Sequence, residues 1–313
     1  MSFIEKKKRK WGDRRDGVWV KDAPGLNVIM SGLYPNRTDC EVCMRDELDI
    51  TDLLAYIEGK NASGQAHRTK LFHCIVAMMV RIINERRYLN RFVRTLRIYE
   101  RDEITVSFIA KRQFSDKAEE ALVTYKARAT DNIDDVSRFI LGEVKEVRAE
   151  GQPEPEQENG KKKKKAKKLD DTINKMAKLP RFLLMIITGF VRWLDRWGKV
   201  PKSLTHGDPA YSTVLLSNLG SIRCPAVYHH LNNYGTNSLM MTIGTMKKKT
   251  VTGEDGSVTT RDVVDIAVTA DERIADGFYF AKSIKMLHYI CAHPDILEKT
   301  FDEDVALQEE TEK

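Results

Sequence analysis

No stretch of this 313-residue chain holds the ~20 consecutive apolar residues that a membrane-crossing helix needs. Its opening residues, Met1-Ser2-Phe3-Ile4-Glu5 followed by Lys6-Lys7-Lys8, contain no apolar signal region. Export is therefore not expected, and a cytoplasmic location is. Cysteine is scarce: five, an odd number, spread widely, as suits free thiols in a reducing compartment. Cys40 and Cys43 are the one close pair, with no second pair or nearby His to complete a zinc site. On a strand, residues three apart face opposite ways, so two ordinary thiols and no metal are expected. Phosphate-binding and nucleophile motifs are missing too. There is no Gly-x-x-x-x-Gly-Lys, no Gly-x-Gly-x-x-Gly after a strand and no Gly-x-Ser-x-Gly.

What is present is a soluble composition, 42% hydrophobic and 31% charged, in a chain long enough to bury a large core. The net charge of +6 is a local surplus. Residues 161–168 hold seven Lys, and Lys6-Lys7-Lys8-Arg9-Lys10 adds five basic groups, so the rest of the chain sums to −6 (+6 minus 12). The folded part is thus no basic nucleic-acid surface, and no specific nucleic acid is expected.

Residues 1–33 read as a basic arm lying on the body, and 34–148 as strand, helix, strands and helix. Residues 70–84 are apolar on nearly all sides, a buried helix. In residues 98–110, Ile104, Val106 and Phe108 alternate as on a half-buried strand. Residues 132–148 place Ile133, Val136, Ile140, Val144 and Val147 at helical spacing. The 149–169 segment, Pro/Glu-rich then Lys-rich, reads as a charged disordered linker. Residues 170–200 read as an apolar helical insertion, its Phe182–Val191 run flanked by Arg192-Trp193-Leu194-Asp195-Arg196-Trp197. Packing on the body or at a subunit interface is expected there, and an in-plane helix at 180–197 touching a membrane or an acyl chain is the other reading. Residues 201–295 read as strands and a final helix, with a hairpin tip at Gly253-Glu254-Asp255-Gly256. Residues 296–313 read as a frayed acidic tail.

The strand–helix junction Asp271-Glu272-Arg273-Ile274-Ala275-Asp276-Gly277 carries most of the functional information. It resembles the Asp-His-Arg-Val-Val-Asp-Gly of dihydrolipoamide acyltransferase catalytic domains and the His-His-Ala-Val-Cys-Asp-Gly of chloramphenicol acetyltransferase. Glu272 stands where that family has its catalytic His. Ser217-Asn218-Leu219-Gly220 resembles the family's Ser-Asn-Leu-Gly, and Thr242-Ile243-Gly244 falls where chloramphenicol acetyltransferase has Thr-Met-Gly. Residues 47–54 resemble the first strand entering its helix, and 87–92 the turn after the buried helix. The resemblance covers most of residues 34–295. It implies an α/β, chloramphenicol acetyltransferase-like fold: a mixed sheet flanked by helices, the two halves sharing one core. It also implies a homotrimer with sites between subunits, and acyl-CoA or another acyl thioester as co-substrate, with no covalently bound cofactor. No lipoyl-type domain or peripheral-subunit-binding segment is expected within this chain ahead of the catalytic region.

By the same resemblance Ser217 is the hydroxyl donor to the tetrahedral oxyanion, with Thr242 near it. Asp276 is structural, holding an Arg and capping the last helix. Glu272 is the modified base. Imidazole titrates near 6.5 and a free Glu near 4.3, but burial can raise a Glu to ~6–7. Asp271 and Asp276 oppose its charge, and Arg273 is expected to neutralise it at the surface. His229 and His230 are candidate substitute bases, with the simpler expectation that one packs and the other caps a loop. His206 is a weaker candidate, and His67, His73, His288 and His293 have no supporting constellation. Three functions remain: an acyltransferase-family protein with a modified site, a catalytically inactive scaffold that kept the fold, and a membrane-peripheral protein acting through residues 180–197 and the Lys runs.

Overall fold

The computed structural model describes residues 3–5, 7–64, 67–111, 120–150, 179–205, 207–253 and 256–305. Most of the expected linker at 149–169, the start of the helical insertion, His206, the tip residues Glu254 and Asp255, and the last eight residues of the tail lie outside these.

A six-stranded mixed sheet organises the chain. Its strands are β2 (Glu41–Asp49), β5 (Thr105–Lys111), β6 (Glu120–Lys126), β7 (Val214–Asn218), β8 (Leu239–Thr252) and β9 (Val258–Asp271), in the order β2-β9-β8-β7-β5-β6. β7 runs parallel to both β5 and β8, and the other pairs are antiparallel. The second-half strands β9, β8 and β7 therefore lie between first-half strands, β2 on one side and β5 and β6 on the other, which is why the halves cannot bury separate cores. β8 and β9 pair over their whole length, apolar Leu239–Ile243 against Ile266–Ala270 at one end and β-branched Thr250–Thr252 against Val258–Thr260 at the other. A smaller sheet joins β1 (Val18–Trp19), β4 (Arg97–Glu100) and β3 (Arg91–Arg94).

Helices α2 (Thr51–Ala62), α3 (Leu71–Glu85), α4 (Ile133–Glu150) and α6 (Gly277–Ala292) pack against one another and onto the sheet. α3 is buried nearly all round, as its composition demands. Its buried Arg81 and Asn84 donate to backbone carbonyls of Lys299, Thr300 and Phe301, so the chain end is pinned across the core helix. α4 buries Ile133, Val136 and Ile140 on one stripe, with Asp134 and Asp135 in its first turn, where the helix dipole favours them. Two further helices, α1 (Gly25–Leu33) and α5 (Arg181–Arg196), lie outside this layer.

Three expectations need correction. Residues 98–110 are not one strand: Ile98 ends up in the small sheet and Val106 and Phe108 in the large one, because the buried Arg101 turns the chain between them and donates to the carbonyls of Asn90, Ser212 and Thr236. The tail is not frayed at its start. Pro294–Glu298 forms a helical turn, Ile296, Leu297 and Phe301 are buried, and Glu298 accepts from Lys60 at 2.7 Å. The N-terminal arm is more than an arm. It adds β1 to the small sheet, buries Ile4 and forms α1.

Candidate acyl-transfer site

β9 ends at Asp271 and the chain turns through Glu272 to α6. Asp271 fixes that turn. Its carboxylate is fully buried and accepts two bonds from the Arg273 guanidinium, at 2.8 and 2.7 Å. Arg37 lies 3.5 Å from it on the other side. Arg273 also donates to the Tyr34 carbonyl at 2.8 Å, and the Glu272 backbone N–H donates to the Cys40 carbonyl at 2.9 Å. Burial opposes the charge on Arg273, but the Asp271 bonds outweigh it and hold its pKa above the usual value. Burial draws Arg37 down to about 10, with Asp271 working against the shift. Arg37 also donates to the carbonyls of Asn232 and Gly235, and Arg94 and Arg101 donate to those of Gly235 and Thr236. The loop leading into β8 is thus clamped by three arginines.

Arg273 does not neutralise Glu272 at the surface. It is buried and turned to Asp271. Nor does Asp276 hold that arginine: it is exposed and caps α6, accepting from the Tyr279 N–H at 2.8 Å. Glu272 itself is half-buried. Its carboxylate has no hydrogen-bond or ion-pair partner among the described residues.

Ser217 ends the buried part of β7 and is half-buried, its hydroxyl likewise without a partner among the described residues. It sits opposite Thr242 of β8, which sits opposite Ala267 of β9. The Thr242 hydroxyl is buried and donates to the Val227 carbonyl at 2.6 Å, so it holds the 224–230 loop against the sheet. The motif glycines serve that same packing. A Cβ on Gly220 would stand 2.3 Å from the Gly244 carbonyl oxygen, and one on Gly244 would stand 2.6 Å from the Ala226 nitrogen. Gly277 is different, since a Cβ there would meet nothing within 4 Å.

The register separates the two candidate catalytic side chains. Glu272 lies five positions beyond Ala267, roughly 16 Å along the strands at ~3.3 Å per residue, and two strand spacings, about 10 Å, across from β7. Within one chain Ser217 and Glu272 do not meet. A cavity of about 640 Å³ opens beside the Asp271 turn, walled by Arg37, Arg94, Trp193, Asp195 and Arg273 among others, and neither residue lines it.

Six of the seven histidines lie among the described residues, and none of them hydrogen-bonds to Ser217 or Glu272. His229 and His230 are both exposed, each with Nδ1 near a backbone carbonyl, at 3.0 and 3.2 Å, so neither packs as expected. His288 pairs with Asp46 at 2.7 Å, and His293 stacks on Tyr289. His73 is buried against Ser137 in the core, and His67 is exposed. Cys40 is buried and Cys43 exposed, and no metal-binding group of His, Cys, Asp and Glu occurs among the described residues.

Residues 200–297 match the model of the family described as 2-oxoacid dehydrogenases acyltransferase (catalytic domain). The chain has an acyltransferase-family fold. A dihydrolipoamide acetyltransferase of Azotobacter vinelandii, studied for the catalytic role of a serine, a histidine and an asparagine, superposes with a TM-score of 0.56 at 11% identity, over 90% of this chain and 94% of that one. A probable dihydrolipoamide acetyltransferase of Listeria monocytogenes gives 0.54 at 15% identity, over 97% and 99%. A truncated catalytic core of the 2-oxoacid dehydrogenase complex of Thermoplasma acidophilum gives 0.52 at 14%, over 88% and 99%. No curated protein matches the sequence. At these identities the likeness is one of fold.

Arg37 and Asp195 are the positioning residues that the sequence left unmarked. Asp195 is buried in α5 and accepts from Arg94 at 2.5 Å, Tyr211 at 2.7 Å and the Gly235 N–H at 3.2 Å. Its partners lie from 16 to 101 residues away, so no local spacing could have revealed it.

Proposed function

We propose that this protein binds an acyl thioester, acyl-CoA in the expected case, and transfers its acyl group at a site completed by a second copy of the chain. One observation carries this reading. Among the motif side chains around the junction, Ser217 and Glu272 are half-buried and unpartnered among the described residues, while Asp271, Arg273, Thr242 and Asp276 are engaged within the chain. Ser217 and Glu272 lie toward opposite ends of two strands that β8 separates, so a neighbour's Glu272 turn has to supply what Ser217 lacks. Such a contact joins two different surfaces and closes into a ring, and a homotrimer is the proposed state.

In the assigned roles the Glu272 carboxylate takes the proton of an alcohol, amine or thiol as its heteroatom attacks the thioester carbonyl. The Ser217 hydroxyl donates to the oxyanion that forms. The C–S bond then breaks, and the leaving thiolate takes the proton back from Glu272. Thr242 and Asp276 act by positioning the loop and the helix. A non-catalytic scaffold is the second reading, favoured by the structural reasons for Thr242, Asp276, Gly220 and Gly244, which would keep them in an inactive protein. Membrane contact through residues 180–197 is independent of this chemistry.

Acyl transfer from acetyl-CoA tests the reading. Glu272→Gln is expected to abolish it without loss of folding, and Ser217→Ala to lower the rate about 10²–10³-fold. Rates unchanged by both would end this mechanism. If calorimetry at millimolar CoA gave no heat with wild type or with Glu272→His, the scaffold would stand instead.

A further inference from the structure

α5 has three faces. Leu183, Leu184, Ile187, Val191 and Leu194 are partly covered, and Asp195, its one carboxylate, is buried. On the opposite side Phe182, Met185, Ile186, Phe190, Trp193 and Trp197 are each more than half exposed, from 52% at Trp193 to 73% at Met185. Between these faces runs a stripe of Arg181, Arg192 and Arg196, all exposed, with no side-chain partner among the described residues. α1 stands across the cavity of about 640 Å³ from α5, through Ser31 on one side and Gly189, Arg192 and Trp193 on the other. It too exposes an apolar stripe, Leu26, Ile29 and Leu33, and it contains no charged residue.

We infer that α5, with α1 beside it, is the docking face for an anionic bilayer surface, the helix lying in the plane of the headgroups. Six large exposed apolar side chains, including two Trp, are what an interfacial helix inserts into the acyl boundary, and a flanking arginine stripe meets lipid phosphate. The charge pattern decides between a bilayer and another copy of the chain. α5 packed on α5 would set Arg192 and Arg196 against like charge, and α1 has no carboxylate to receive them. At 16 residues the helix is about 24 Å long, and no described helix is long and apolar enough to cross a membrane, so the contact is superficial.

Flotation of the full chain with phosphatidylcholine vesicles, with and without phosphatidylglycerol, tests the assignment. Wild type is expected to float with the anionic vesicles and not with the neutral ones. Phe190→Ser/Trp193→Ser and Arg192→Glu/Arg196→Glu are each expected to weaken binding at least about tenfold. Their unfolding midpoints should stay near wild type, because the changed side chains are exposed. Trp193→Phe/Trp197→Phe preserves the apolar face: it should still bind but lose most of the fluorescence quenching by brominated lipid that wild type gives. Three results would overturn the inference. One is no flotation by wild type. The second is binding that salt removes but the Phe190/Trp193 pair leaves intact, which would assign it to the basic runs. The third is loss of self-association, without any vesicle binding, in the Phe190/Trp193 pair, which would assign the face to a second copy.

Discussion

Asp271 and Glu272 are neighbours with opposite structural duties. Asp271→Ala leaves the buried Arg37 and Arg273 without the carboxylate they share, and breaking a buried ion pair from one side costs about 3–5 kcal/mol. Glu272→Gln removes no partner among the described residues and should stay within about 0.5 kcal/mol of wild type. Urea unfolding of the two variants checks the contrast; equal losses would mean that Glu272 is part of the turn's frame and not a free group. The motif at 271–277 was legible from sequence because seven consecutive residues encode it. The roles inside it were less so. Sequence placed the structural carboxylate at Asp276 and turned Arg273 outward, whereas folding gives the arginine to Asp271, which only the buried position of β9's end makes plain.

Elements were legible where burial follows a period. α3 and α4 stand where their apolar spacing puts them. α1 was missed because Gly25-Leu26-Asn27-Val28-Ile29 has no side-chain cap and its apolar stripe faces outward, so neither of the usual signals is present. The order of the chain end was missed because its anchors, Arg81 and Asn84, come from a helix more than 200 residues earlier. α3 also carries a pH-sensitive group. Burial, aided by Lys70, draws His73 down to about 4, below the ordinary 6.5. The unfolded chain takes up a proton as pH falls through 6.5, while the folded one refuses it until about 4. Stability should therefore drop across that window by up to roughly 3 kcal/mol from this group and then level off. Carboxylates titrate there too, so the measurement is the difference between wild type and His73→Gln, whose unfolding free energy should fall less steeply from pH 6.5 to 4. Parallel curves would remove His73 as a cause.

At the scale of the whole molecule, the sheet decides what one chain can do. Strand order places Ser217 at the end of β7 and Glu272 beyond the far end of β9, and the buried Asp271 cluster leaves the turn no freedom to swing back. If the acyl-transfer site forms between copies, two inactive variants should rescue each other. In a ring, each site takes Ser217 from one copy and Glu272 from the next. When Ser217→Ala and Glu272→Gln chains are unfolded together in equal amounts and refolded, a site is intact wherever a Glu272→Gln copy supplies the serine and a Ser217→Ala copy supplies the carboxylate. Random assembly makes that about a quarter of all sites. Recovery of about a quarter of wild-type acetyl transfer in the mixture, with neither variant active alone, is the expected outcome. A site within one chain would carry one lesion in every copy, and the mixture would stay as inactive as its parts.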